Sequence, residues 1–318
     1  MTSSTAYIAV EEFYLSPEVS VTSTHPDDAA LSLVPPATIA KLKNLGPSRL
    51  RDMKASGISL QVISHLPINV SPKTCQRYND TLYTTIDAKE AASELQRCVV
   101  KYKFVGGMLG FSTDRKEWGR QVNDKAFDAL WAVAERYQVP IALRVMFPTN
   151  AQVSDIDGSS APPIKSQLVT TFYSSHAASP LLFLRIFTSG VFDRFPHLRL
   201  ILSQGGLGIP PLLSRIEYFV ASLPNRPKTC FMDVWQNNLH ITLADVLDLS
   251  TLRALSELIP SDRLLYATRY PWEERPKAVV DEARESGVLG KEEWEGVVRR
   301  NAERLFKVVV KEIGGAGR

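Results

Sequence analysis

Short runs of aliphatic and β-branched residues alternate along this chain with longer amphipathic stretches, and that alternation leaves few folds open. The runs are Tyr7–Phe13, Ile58–Leu66, Phe104–Leu109, Pro140–Met146, Leu198–Ser203, Leu239–Leu243 and Leu264–Thr268. They are apolar on both faces, the pattern of strands buried within a parallel sheet rather than strands with one wet side. Helical patterns lie between them: Ala37–Leu45, then Ser48–Ser56 with Gly57 as its cap, then a stretch through Lys101 opened by Asp87 and Glu90 in capping-box-like spacing, then one from Asn123 or Asp124 to Tyr137. A βαβα order with two-sided strands predicts a parallel sheet covered by helices. Seven strands are clear in the pattern, and Leu82–Ile86 is a weak eighth. Eight would close a barrel, and 318 residues suit one (β/α)8 domain, which needs about 250 residues plus insertions.

Two stretches break the rhythm. Residues 147–165 make a long connection containing Asp155-Ile-Asp-Gly-Ser-Ser-Ala-Pro-Pro. It reads as an irregular loop, and its place after a strand makes it a candidate lid. Residues 71–87 are too few for a full helix-plus-strand unit, so the third strand of the barrel is left open.

Net charge is only +3, and the basic residues are spread along the chain. Neither nucleic acid nor an anionic membrane is therefore an expected partner. No apolar run approaches the ~20 residues of a membrane helix. The first residues lack a basic n-region, so no secretory signal is expected. Cys75, Cys98 and Cys230 are scattered, without metal-type spacing, and fit buried thiols in a reducing cytoplasm.

Gly190–Glu217 reads GVFDRFPHLRLILSQGGLGIPPLLSRIE. This run resembles the amidohydrolase-related family, in the branch of the metal-dependent 2,3-dihydroxybenzoate, gamma-resorcylate and aminocarboxymuconate-semialdehyde decarboxylases. Ala9-Val-Glu-Glu-Phe, Val139-Pro-Ile-Ala-Leu-Arg and Leu264-Leu-Tyr-Ala-Thr-Arg-Tyr-Pro-Trp-Glu resemble three further family segments, and the likeness runs from about Tyr7 to Phe306. It implies a distorted TIM-like (β/α)8 barrel with its site at the carboxyl ends of the strands. It also implies losses. Glu11 matches a retained carboxylate ligand. Phe13 and Arg144 stand where the family has histidine ligands, and Arg269 stands where it has an aspartate ligand. Gln204 replaces the proton-transferring histidine, and Leu207 replaces its glutamate partner. Arg215 matches an arginine of the substrate region and subunit contact, which implies a homodimer, and Trp272 stands at an aromatic position.

These substitutions argue against a metal. A divalent site needs several converging lone pairs, and arginine has none to give. Two like unit charges 4 Å apart repel by about 4 kcal/mol at an effective dielectric of 20, and a divalent ion roughly doubles that. Among the histidines, His197 and His240 fall at the non-catalytic end of their strands. His25 and His176 lie in loop or helix sequence, and His65 ends a strand where barrel enzymes place chemistry. None rebuilds a ligand cluster.

Arg144 and Arg269 are expected to face one cavity. With Glu11 they form either a structural Arg–carboxylate–Arg network or an anion site that stabilises developing negative charge. The acid/base candidates are Glu11, His65, Tyr14 and Tyr173, with Gln204 limited to hydrogen bonding. Phe13 and Trp272 make the cavity apolar, and His176 is a further candidate contact. The favoured reading is a metal- and cofactor-independent lyase, isomerase or cyclase of secondary metabolism acting on an anionic aromatic or polyketide-like molecule. Two alternatives stand beside it. One is a non-catalytic member that binds a ligand or partners an intact paralogue. The other is a decarboxylase that keeps the family substrate and puts arginines in place of the metal.

Overall fold

The structure, a computed structural model, describes residues 6–79, 88–111, 125–157, 161–173, 180–272 and 276–310. Seven parallel strands appear among them, in two sheets. β1 (Tyr7–Tyr14) pairs with β2 (Ile58–His65). β3 (Gly107–Phe111), β4 (Ile141–Val145), β5 (Leu200–Leu202), β6 (Leu239–Thr242) and β7 (Leu264–Leu265) pair in sequence order. Every residue of β1 and β4 is buried, as expected of strands with neighbours on both faces.

The alternation of side chains sorts the core into two layers. Tyr7, Ala9, Leu109, Ile141, Leu143, Leu200 and Leu202 pack outward against the helices. Ile8, Val10, Met108, Ala142, Ile201 and Leu265 form a second, inner cluster, as the wall of a barrel would. Local signals end the elements. Gly57, at φ +71°, turns the Pro47–Ala55 helix into β2, and Asp248 caps the Leu249–Leu258 helix by accepting from the Thr251 amide at 2.8 Å.

Two seams join the sheets, and they differ. At the β7–β1 seam the Val10 amide donates to the Tyr266 carbonyl at 2.9 Å and the Phe13 amide to the Tyr270 carbonyl at 3.0 Å. Between β2 and β3 no strand pairing is present among the described residues. Beyond the carboxyl ends of β2 and β4 the Phe147 amide donates to the Pro67 carbonyl at 2.6 Å. Closure into a complete eight-stranded ring is thus not found, and Leu82–Ile86, the candidate for the additional strand, lies outside the described residues.

The 147–165 connection is not the irregular loop its glycine, serines and prolines suggest. It forms the helices Asn150–Asp157 and Pro162–Gln167, the second with proline in its first turn, where a missing amide costs nothing. The Asn150 and Ala151 amides donate to the Asp28 and Pro26 carbonyls and tie the first helix to an earlier loop. No helix among the described residues is long and apolar enough to cross a membrane. Cys75 and Cys98 are buried thiols and Cys230 is exposed.

Candidate functional site

Four non-glycine residues near the strand carboxyl ends hold left-handed backbone: Glu11 (φ +67°), Gln204 (+53°), Asp245 (+63°) and Arg269 (+50°). Such conformations cost about 1–3 kcal/mol each and gather where function holds them in place. Glu11 owes its conformation to a bulge. Ala9 faces Gln61 and Glu12 faces Ile63, so β1 spends one extra residue against β2. The bulge buries Glu11 and Glu12 together, and sends them to different partners.

Glu11 accepts a short hydrogen bond from Thr242 Oγ1 at the end of β6. Glu12 accepts from the Thr268 amide (2.7 Å), Thr268 Oγ1 (2.6 Å) and the Tyr270 amide (3.0 Å). Burial pushes the Glu12 carboxyl up, and those three donors together with the Arg49 charge pull it back. Arg49 donates to the Phe13 carbonyl at 2.7 Å and stacks 4.5 Å from the Tyr270 ring centroid. Glu12, Arg49 and Thr268 thus latch β1 to the chain beyond β7.

Arg144 follows the inward alternation of Ala142 on β4 and is 6% exposed. Its guanidinium lies 4.7 Å from the Phe13 ring centroid, and Nε and Nη1 are buried without a hydrogen-bond partner. Burial lowers its pKa, with the carboxylates of Glu11 and then Glu12 opposing that shift. Arginine starts so high that it stays a cation. Arg269 is spoken for by another group. Its Nη1 donates to Asp245 Oδ1 at 2.5 Å in a mostly buried ion pair.

The expected Arg144–Glu11–Arg269 network in one cavity is corrected in its Arg269 half: Glu11 and Arg144 line one cavity and the Glu11 charge acts on Arg144, whereas Arg269 pairs with Asp245 and lines another cavity. The upper cavity, about 40 Å³, is lined by Phe13, Met146, Tyr173, Arg269 and Trp272. The lower one, about 540 Å³, is lined by Glu11, Arg144 and Thr242, by Gln61, Ser64, Tyr102 and Lys103, and by apolar side chains elsewhere. Phe13, in edge-to-face contact with Trp272 at 5.5 Å, faces the upper cavity and carries Arg144 on its ring.

His65 is fully buried and occupied. Nε2 accepts from the Ser16 amide at 3.0 Å, so Nδ1 carries the proton and donates to the Leu66 carbonyl at 2.7 Å. Burial holds its pKa down at about 4, and its ring stacks on Tyr78 and meets Tyr14 edge-on. His65 and Tyr14 thus pack with one another and line neither cavity. Gln204 opens a short helix after β5 and also lines neither. Leu207 is buried in the outer core. Arg215 is exposed on the Leu213–Ala221 helix, away from both cavities. His176 lies outside the described residues. Thr242 and Asp245 escaped the sequence reading. Their only signal was position, at or just past the end of the Leu239–Thr242 strand.

The donor set does not suit a divalent metal. Around Glu11 stand a threonine hydroxyl, a phenyl ring and a guanidinium, and among the described residues no three His, Cys, Asp or Glu side chains converge as a metal site requires.

Comparison with known proteins gives this geometry its relatives. The profile of a family described as amidohydrolase matches residues 74–308. The decarboxylase orsB of Emericella nidulans is 30% identical over 332 residues, covering 96% of this chain and 98% of that protein. Gamma-resorcylate decarboxylase of Polaromonas is 25% identical, covering 95% and 98%. The crystal structure of 2,6-dihydroxybenzoate decarboxylase with 2,6-dihydroxybenzoate superimposes with a TM-score of 0.73 at 26% identity, covering 95% of this chain and 99% of that one.

Proposed function

The chain belongs to the amidohydrolase family, and on that premise we propose that it decarboxylates an aromatic acid, with Arg144 in place of a metal ion. One observation carries the reading: a carboxyl group, Glu11, and a buried guanidinium with two unengaged nitrogens, Arg144, line the same apolar cavity. The relatives named as decarboxylases of aromatic acids favour this over an isomerase or cyclase.

The chemistry divides between the two groups. Arg144 Nε and Nη1 donate to the substrate's carboxylate or ortho oxygen, and in low-dielectric surroundings that holds the anion and draws charge from the ring. Glu11 passes a proton to the ring carbon that bears the carboxylate. The carbon–carbon bond then breaks, its electron pair stays with the ring, carbon dioxide leaves, and solvent returns a proton to Glu11. The sum is one aromatic carboxylate and one proton in, one arene and one carbon dioxide out. Thr242 fixes the Glu11 carboxyl. His65 is a poor acid here because both nitrogens serve the backbone.

The test is turnover of 2,6-dihydroxybenzoate by metal-free protein prepared in chelator, followed as loss of the acid and release of carbon dioxide. Glu11→Gln should lower kcat about a hundredfold or more with binding retained, and Arg144→Leu should remove binding. Turnover that appears only on adding manganese or zinc sinks the arginine assignment. The reading includes a homodimer, supported by Leu212, Tyr218 and Phe219, each more than a third exposed beside Arg215 on one helical surface. A monomer mass at micromolar concentration sinks that part.

A further inference from the structure

Most polar side chains that line the lower cavity are engaged. Thr242 donates to Glu11. Gln61 accepts from Arg49 Nε at 2.7 Å, and its amide nitrogen reaches Glu12 at 3.5 Å. The Cys98 thiol donates to Glu94 at 3.4 Å, Tyr102 accepts from Arg97 at 3.2 Å, and Lys103 donates to the Val100 carbonyl at 3.0 Å. Among the described lining residues, the buried side-chain polar atoms left without a hydrogen bond belong to Ser64 (Oγ) and Arg144 (Nε and Nη1). These two stand near one another. Leu60 and Val62 pack against the inner cluster, and Ser64 is the next residue of β2 on that face. Arg144 follows Ala142 on β4 in the same way. Phe13 connects them, as the register partner of Ser64 and the ring 4.7 Å from the Arg144 guanidinium. Side chains leave a strand from its faces and not from its hydrogen-bonding edges. The place of Ser64 therefore rests on the β1–β2 pairing and not on what lies beyond the other edge of β2.

We infer that Ser64 determines specificity: its hydroxyl binds an oxygen substituent on the ring of the acid whose carboxylate Arg144 holds. The identity of the acid rests on the decarboxylase reading above. The assignment of Ser64 rests on its unengaged hydroxyl. A buried polar atom without a partner is a cost to the fold, and a ligand that supplies the partner removes it. The two groups divide the ligand by charge. A guanidinium takes the carboxylate, where the bond is charge-assisted. A serine hydroxyl both donates and accepts, so it suits a phenol or a phenolate. An acid without that oxygen leaves Ser64 unpaired and binds more weakly for it.

Calorimetric titration of the full chain and of Ser64→Ala with 2,6-dihydroxybenzoate and with benzoate tests this, beside an assay of carbon dioxide release from the dihydroxy acid. Ser64→Ala should weaken binding of 2,6-dihydroxybenzoate about five- to tenfold and change benzoate affinity less than about twofold. A merely structural role would move both acids together. Circular dichroism checks that the variant is folded, and Ser64→Cys, close in size but a weak hydrogen-bonding group, should show the same selective loss. If either folded variant weakens both acids alike or neither, the Ser64 assignment is overturned, and carbon dioxide release by the unsubstituted chain keeps the decarboxylase reading. If the loss is selective but the unsubstituted chain releases no carbon dioxide, the Ser64 assignment is upheld and the decarboxylase reading falls. If neither acid binds the unsubstituted chain, both fall.

Discussion

The two seams of this barrel solve one problem in opposite ways. At β7–β1 the strands are laced by backbone hydrogen bonds and then locked by Glu12, a buried carboxylate with three donors from Thr268 and Tyr270. Between β2 and β3 no pairing is present among the described residues, and the lower cavity lies beside both strands. The polar latch lies where the chain must hold a bulge and several left-handed residues in register. The unlatched edges flank residues 80–87, which lie outside the described residues.

Breaking the latch should have the largest effect. Glu12→Ala leaves the Thr268 and Tyr270 amides without their acceptor and removes the carboxylate that faces Arg49. Removing one member of such a buried set costs about 3–5 kcal/mol. Urea denaturation should show a lower midpoint at unchanged slope. A loss under about 1 kcal/mol would mean that the closed seam depends on its backbone bonds alone.

The next effect lies at the carboxyl end of β2, where the open seam begins. His65 is neutral in the fold, with its pKa near 4 against about 6.5 for a free imidazole. Its contribution is complete above about pH 6.5. It is lost as pH falls toward 4, because the unfolded chain then takes up a proton that the fold refuses. The difference is worth about 3 kcal/mol at pH 4. His65→Gln should flatten the stability–pH curve between pH 6.5 and 4. His240, buried and held near pKa 3, titrates in the same direction, so an unchanged slope in His65→Gln would transfer the effect to His240.

The closed seam was the more legible of the two. Periodicity and two-sided apolar runs placed all seven strands, because burial on both faces is written directly into composition. That Glu11 and Arg144 stand together at one cavity was legible through the motifs around them. What those residues then pair with was not. Arg269 found Asp245 and Glu11 found Thr242 because a bulge and left-handed turns re-aim side chains by amounts no periodicity carries. The 147–165 stretch misled for a related reason. Its prolines read as breakers, yet they sit at a helix start, where φ suits them and no donor is lost.

Arg144 separates stability from function on the ligand side. A buried guanidinium with unengaged nitrogens is a cost to the fold, so replacing it with leucine should leave stability level or raise it by about 1–2 kcal/mol. The same change should abolish acid binding. Thermal unfolding and titration of one Arg144→Leu preparation check both. A large fall in Tm would instead make Arg144 a structural strut, paired through its charge with Glu11.

The smallest effect is expected at the wall of the lower cavity. Leu60 and Val105 are only partly buried, and the space beside them is not filled by close-packed neighbours. Leu60→Trp or Val105→Trp therefore adds apolar contact without forcing a packed core apart, and each should change unfolding free energy by less than about 1 kcal/mol. Set beside Glu12→Ala, that is a severalfold difference between two sites in one barrel wall. If either tryptophan costs as much as losing the latch, that wall of the lower cavity is packed tightly. If both are tolerated, the cavity wall has slack that the latch does not.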